Sequence, residues 1–120
     1  MGLDQFAFTT TEAIDKATDF KPETYSEIHY WRKHPNLHGW MSELYFERGG
    51  KNPDFNCATV KLTQSDLDQL ERDIKANELP LTAGFFFGES RDETGADLEF
   101  VAKAHEAIAR GETVFYDSWW

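Results

Sequence analysis

The chain has 120 residues, with 22 Asp and Glu against 12 Lys and Arg and a formal net charge of −10. That length fits a single domain, 1–120, and 40 % hydrophobic residues with ten phenylalanines exclude the aromatic-poor composition of a disordered chain. The acidity argues against direct nucleic-acid binding, because affinity for a phosphate backbone needs clustered cations.

Leu3 to Thr9 is short and apolar, with Phe6 and Phe8 alternating, and reads as a strand. Thr10 to Pro22 is polar and threonine-rich, a surface loop with room for a helical turn around Ala13–Ala17. Ile28 to Arg32 is β-branched and aromatic, which fits a short strand or the first turn of a helix, with a break forced near Pro35. Pro35 suits a first helical position, and Leu37, Trp40, Met41, Leu44 and Tyr45 then fall on one helical stripe that Gly49-Gly50 ends. Lys51 to Asn56 is a polar loop with Asn-Pro-Asp turn chemistry. Cys57 to Leu62 sets Ala58, Val60 and Leu62 against Cys57, Thr59 and Lys61, the alternation of a half-buried strand.

Thr63-Gln64-Ser65-Asp66 has the spacing of a capping box. Leu67, Leu70 and Ile74 supply the stripe of the helix that follows, and Pro80 closes the region. Gly84-Phe85-Phe86-Phe87-Gly88 reads as a buried strand or a loop plugged into the core. Thr94 to Asp97 starts a further helix, with Leu98, Val101, His105 and Ile108 on one face and Gly111 at the left-handed cap. Thr113 to Trp120 alternates, is aromatic, and reads as a final strand. These elements predict a single compact α+β domain, mostly antiparallel sheet with about three helices packed on it.

Cys57 is the sole cysteine, so no internal disulfide forms and nothing points to an oxidising compartment. No run reaches the roughly 20 apolar residues of a membrane span. The opening residues lack a signal-peptide pattern, and Phe6 stands where a myristoylation site wants Ser or Thr. A soluble cytoplasmic protein is expected.

Several motifs carry a resemblance. They are Met1-Gly2-Leu3-Asp4, Tyr30-Trp31-Arg32-Lys33, His38-Gly39-Trp40, Leu79-Pro80, Gly84-Phe85-Phe86-Phe87-Gly88 and Tyr116-Asp117-Ser118-Trp119-Trp120. Together they span nearly the whole chain, which resembles a family of small uncharacterised proteins from phages and bacteria. Its members typically open with Met-Gly-Leu-Asp and end near Ser-Trp. The chain departs from that pattern at Gln5-Phe6-Ala7-Phe8, where Met-Tyr-Leu is more usual. The resemblance implies a source and an architecture rather than a chemistry.

Residues 29–40 hold three of the four histidines, two of the four tryptophans and the Arg32–Lys33 pair, cations set against an acidic background. Aromatic faces beside guanidinium and ammonium groups hold flat or anionic ligands. Tyr30, Trp31, Arg32, Lys33, His38 and Trp40 are therefore the candidate ligand-binding residues. The competing structural reading puts Trp31 in the core and pairs Arg32 and Lys33 with surface carboxylates. His29, His34 and His38 invite a metal proposal, but Pro35 distorts the His34–His38 turn and no fourth ligand is evident, so no metal or cofactor is predicted. Trp119 and Trp120 close the chain as a candidate partner or homodimer contact, with packing on the protein's own core as the alternative. Asp117 and Ser118 are adjacent on a strand and point to opposite faces, so they do not serve one histidine and no catalytic set is assigned.

The acidity itself has two readings: solubility alone, or carboxylates presented where a DNA-binding host protein expects phosphates. The leading functional expectation is a small acidic accessory protein of phage or prophage type. It acts by binding, most simply to a host protein as inhibitor or modulator, and is not an enzyme. The alternatives are a protein that sequesters an anionic, nucleotide-type small molecule in an aromatic-cationic pocket, and a small hydrolase using His38 with Arg32.

Overall fold

The structure is a computed structural model that describes residues 2–82 and 93–120. In chain order its elements are β1 (Asp4–Thr10), β2 (Ser26–Arg32), α1 (Pro35–Glu47), β3 (Val60–Leu62), α2 (Gln64–Lys75), α3 (Thr94–Ala109) and β4 (Thr113–Trp119). The four strands form one antiparallel sheet in the order β2-β1-β4-β3. The segment Ile28–Arg32 is thus settled as strand, and the expected α+β domain with three helices is present.

Strand alternation decides which residues meet the helices. On β1, Gln5, Ala7 and Thr9 are buried while Phe6 and Phe8 are half-buried. Their cross-strand partners follow suit: Gln5 faces Trp31 and Ser118, and Ala7 faces His29 and Tyr116. This inner face carries the core, where Ala7, Trp31, Val60, Leu62, Val114 and Tyr116 join the buried stripes of all three helices. The outer face carries Asp4, Phe6, Phe8, Tyr30, Arg32, Phe115, Asp117 and Trp119, and among the described residues no helix packs on it.

The loop over residues 11–25 lies partly across the outer face and is not the purely surface segment expected. Phe20 is buried, with its ring 5.3 Å from Phe115. Thr59 Oγ1 donates to the Phe20 carbonyl (2.7 Å) and accepts from its N–H (3.0 Å), which explains why Thr59 is buried. Residues 17–19 also close the free edge of β3: Thr18 bridges Val60, Asp19 N–H donates to Thr59 O, and Lys61 N–H donates to Ala17 O. Tyr45 of α1 holds this strap, donating its hydroxyl to Asp19 Oδ1 at 2.5 Å. On the opposite edge, Ala7 faces His29 and Phe8 faces Glu27, so Ile28 is an extra residue that kinks β2.

β3 is shorter than the Cys57–Leu62 strand expected because Phe55 and Cys57 take left-handed φ values of 47° and 57°. α1 and α2 match their predicted stripes. The capping box is present: Thr63 Oγ1 accepts from Asp66 N–H, and Asp66 Oδ2 accepts from Thr63 N–H. Asp66 also receives both Arg48 guanidinium nitrogens (2.7 and 3.2 Å), tying the end of α1 to the start of α2. α3 is rotated from expectation. Its buried face is Asp97, Phe100, Val101, Ala104 and Ala107, while His105 sits at the rim, 3.3 Å from Asp68 of α2. The Gly84–Gly88 element lies outside the described residues.

Candidate functional site

The helix-free face of the sheet is the first candidate. A solvated antiparallel face is ordinarily polar, yet here the rings run continuously. Tyr30 lies 5.4 Å from Phe6, Phe6 stacks on Phe8 at 5.6 Å, and Phe8 contacts Tyr25 at 4.8 Å and Phe115 at 5.4 Å. Tyr25, Tyr30 and Trp119 are 55 %, 44 % and 67 % exposed, so this is an accessible aromatic surface. Register places Trp119, Asp4 and Arg32 in one row across β4, β1 and β2, and Asp117, Phe6 and Tyr30 in the next. Asp4 accepts the Tyr30 hydroxyl at 2.5 Å and pairs with Arg32 at 3.5 Å. The Asp4 contact raises the Tyr30 pKa, because a phenol donating to a carboxylate resists losing its proton. Asp117 is half-buried opposite Phe6, and burial pushes its carboxyl up to about 6.

Beneath the sheet lies a buried polar cluster. His34, which precedes α1, sets Nε2 2.9 Å from Asp97 Oδ2 and Nδ1 3.3 Å from Glu93 Oε2. Asp97 Oδ1 accepts the Trp31 indole N–H at 2.9 Å. Gln5 clamps the His34 backbone, donating to its carbonyl (3.0 Å) and accepting from its N–H (2.8 Å). One turn into α1, His38 Nδ1 lies 2.7 Å from the Tyr116 hydroxyl. Burial lowers the His38 pKa to about 4, which leaves the ring neutral at pH 7, and raises that of Tyr116. The cluster joins β1, β2, β4 and the starts of α1 and α3, so its geometry is that of a polar core satisfied across elements.

A third feature is a groove of about 260 Å³ between α1 and α2, lined by Trp40, Glu43, Leu44, Glu47, Arg48, Asp66 and Gln69.

The six predicted ligand residues do not line one site. Tyr30 and Arg32 stand on the outer face, while Trp31 alternates inward, is 2 % exposed and is held by Asp97. Lys33 takes φ 55° at the end of β2, exposed beside Gly2. His38 is buried under Tyr116, and Trp40 lies at the α1/α2 groove with its indole N–H given to Asp73 at 2.8 Å. Proximity along the chain is undone by the two faces of β2 and the turn into α1. An anionic ligand would find only Tyr30, Arg32 and Lys33 together, on an open surface. Trp119 and Trp120 are likewise divided. Trp119 is exposed on the outer face, whereas Trp120 is clasped by Asn56 (Nδ2 to Trp120 O 2.7 Å; Trp120 N to Oδ1 3.0 Å) and gives its indole N–H to Phe55 O.

His29, His34 and His38 go separate ways, to Trp31 and Phe100, to Asp97, and to Tyr116. Among the described residues no group of three or more His, Cys, Asp or Glu is arranged to hold a metal ion. Ser118 is buried and Asp117 lies on the outer face, as strand alternation requires. Sequence reasoning missed Gln5, Asp97 and Tyr116 as network members and Asp117 as a surface carboxyl among rings. The available signal for Asp97 was its spacing of three and seven from Phe100 and Ala104, an acid in phase with an apolar stripe. Comparison with known protein families, with curated proteins and with solved structures finds no match for this chain.

Proposed function

We propose that the protein acts by binding another protein, without catalysis, and that it docks through the outer face of its sheet. The observation that carries this reading is the run of rings ending in exposed Tyr25, Tyr30 and Trp119 on a face that no helix covers among the described residues. Tyr, Trp and Arg are the residues that most often anchor protein interfaces, and Arg32 stands in the same patch. The net charge of −10 selects the partner's chemistry: an apolar centre with a basic rim, drawn in by long-range attraction. The resemblance to phage and bacterial proteins makes a protein of the host cell the expected partner, with inhibition or modulation as the outcome.

The test is affinity capture from host lysate by three forms of the chain: unmodified, Tyr30→Ser with Trp119→Ser, and Glu106→Gln on the far side of α3. Circular dichroism first establishes equal folding. Loss of two interface anchors should weaken binding of the captured protein by about 30-fold or more, while the α3 variant retains it. A partner that both variants hold equally well would overturn the assignment of the docking face.

A further inference from the structure

Resting on that docking reading, we propose that the outer face seats a cationic side chain of the partner, arginine by preference, on Asp117 between the rings of Phe6 and Trp119.

Asp117 lies in the middle of β4 directly opposite Phe6, with Phe115 and Trp119 two residues away on the same face. Its Oδ1 accepts the Ser118 N–H at 2.8 Å, and among the described residues nothing donates to its other oxygen. Lys21 acts on it through its charge, and the two form no direct ion pair. The neighbouring Asp4 shows the same environment completed: a carboxylate beside an aromatic ring, paired with the Arg32 guanidinium and accepting the Tyr30 hydroxyl. Asp117 has the rings and lacks the cation. The upward shift of its pKa is the thermodynamic counterpart: loss of water outweighs the Ser118 N–H bond and the charge of Lys21.

A guanidinium answers each of these features. Its plane stacks on an indole, its paired N–H groups match a carboxylate, and it is shed from water more readily than an ammonium. The protein's overall negative field steers such a group inward. Other charges that bear on the seat are Asp4 with its Arg32, the Tyr30 hydroxyl, Lys21, and Lys61 on β3, whose ammonium is turned to the Ile14 carbonyl.

The experiment is an NMR titration with N-acetyl-arginine methylamide, set against N-acetyl-citrulline methylamide, which has nearly the same shape and no charge. The Trp119 indole N–H and Ser118 N–H signals should move and saturate with the arginine probe, and citrulline should bind about tenfold more weakly or worse. Asp117→Asn should erase the difference between the probes. Lowering pH from about 7.5 to about 5 should weaken arginine binding about tenfold, since an acid with pKa about 6 is then mostly protonated. Equal binding of citrulline, unchanged binding by Asp117→Asn, or signal changes centred on Trp40, Glu43 and Glu47 would overturn the proposal. The capture assay separates the two readings. If Tyr30→Ser with Trp119→Ser loses the partner while Asp117→Asn keeps wild-type affinity, docking stands and the cation seat falls. If the paired variant keeps the partner, docking itself falls.

Discussion

Asp97→Asn tests whether the buried polar cluster holds the fold together. Asp97 is 2 % exposed and accepts from Trp31 through Oδ1 and from His34 through Oδ2, both at 2.9 Å. Asparagine keeps the volume and one oxygen but sets an NH₂ group against one of the two donors. A hydrogen bond to a charged group contributes about 1.5–3 kcal/mol, and leaving a buried donor unsatisfied costs about 1–3 kcal/mol. Glu93, 3.3 Å from the other His34 nitrogen, still holds that ring, which sets the expectation near the lower end of the sum, about 3 kcal/mol. For a chain of this size that corresponds to a fall in Tm of about 12 °C. Urea denaturation should show a midpoint about 1.5 M lower with an unchanged slope. Trp31→Phe should cost less, about 1–2 kcal/mol, and the double variant should fall short of the sum by more than about 0.5 kcal/mol. A loss below about 1 kcal/mol for Asp97→Asn, or strict additivity with Trp31→Phe, would refute the argument that these groups act as one network.

Thr63→Ala removes the hydroxyl that accepts from Asp66 N–H and should cost about 1 kcal/mol in chemical denaturation, whereas Thr63→Ser should cost less. Gly39→Ala should destabilise by about 1–2 kcal/mol even though alanine favours helix, because the new Cβ would lie 1.9 Å from Thr82 Oγ1. Thr82 is pinned by Asn36 and the Pro80 carbonyl, so it yields poorly; adding Thr82→Ala should recover most of the loss in a melting experiment. Asp117→Asn should stabilise the free protein by about 1 kcal/mol near pH 7.5, after discounting for partial exposure, and not at all near pH 3. The sign follows from a folded-state pKa of about 6 against the ordinary aspartate value of 3.8: between those values the native state binds more protons, so the aspartate form loses stability as pH rises through about 6. Melts across that range should converge at low pH; a divergence there would contradict the assignment.

The helices that announce themselves by large side chains were legible from sequence. Leu37, Trp40, Met41, Leu44 and Tyr45 mark α1, and the Thr63–Asp66 box marks the start of α2. α3 was placed but turned, because its apolar residues support two overlapping stripes. Leu98, Val101, His105 and Ile108 look more hydrophobic, yet small Ala104 and Ala107 let the helix approach its neighbours closely, and that contact decides the burial. Asp97 went unnoticed for the same reason. β2 stayed ambiguous because a seven-residue strand bearing an extra residue lacks clean alternation. The candidate site was only partly legible. Its members Phe6, Tyr30, Asp117 and Trp119 come from three strands separated by up to about a hundred residues, and no local spacing reports a cross-strand row. The dense aromatic and cationic stretch at residues 29–40 is real in sequence but is dispersed by the folding of one strand and one helix.

The two rims of the sheet bear on how this molecule behaves when crowded. Residues 17–19 occupy the hydrogen-bonding groups beside β3, and Ile28 throws β2 out of even register, with Glu27 and Arg32 bracketing the kink. A second chain that tried to template on either margin would meet an occupied ladder or a mismatched one. The exposed rings therefore offer adhesion through their faces, while growth strand by strand is disfavoured at both margins.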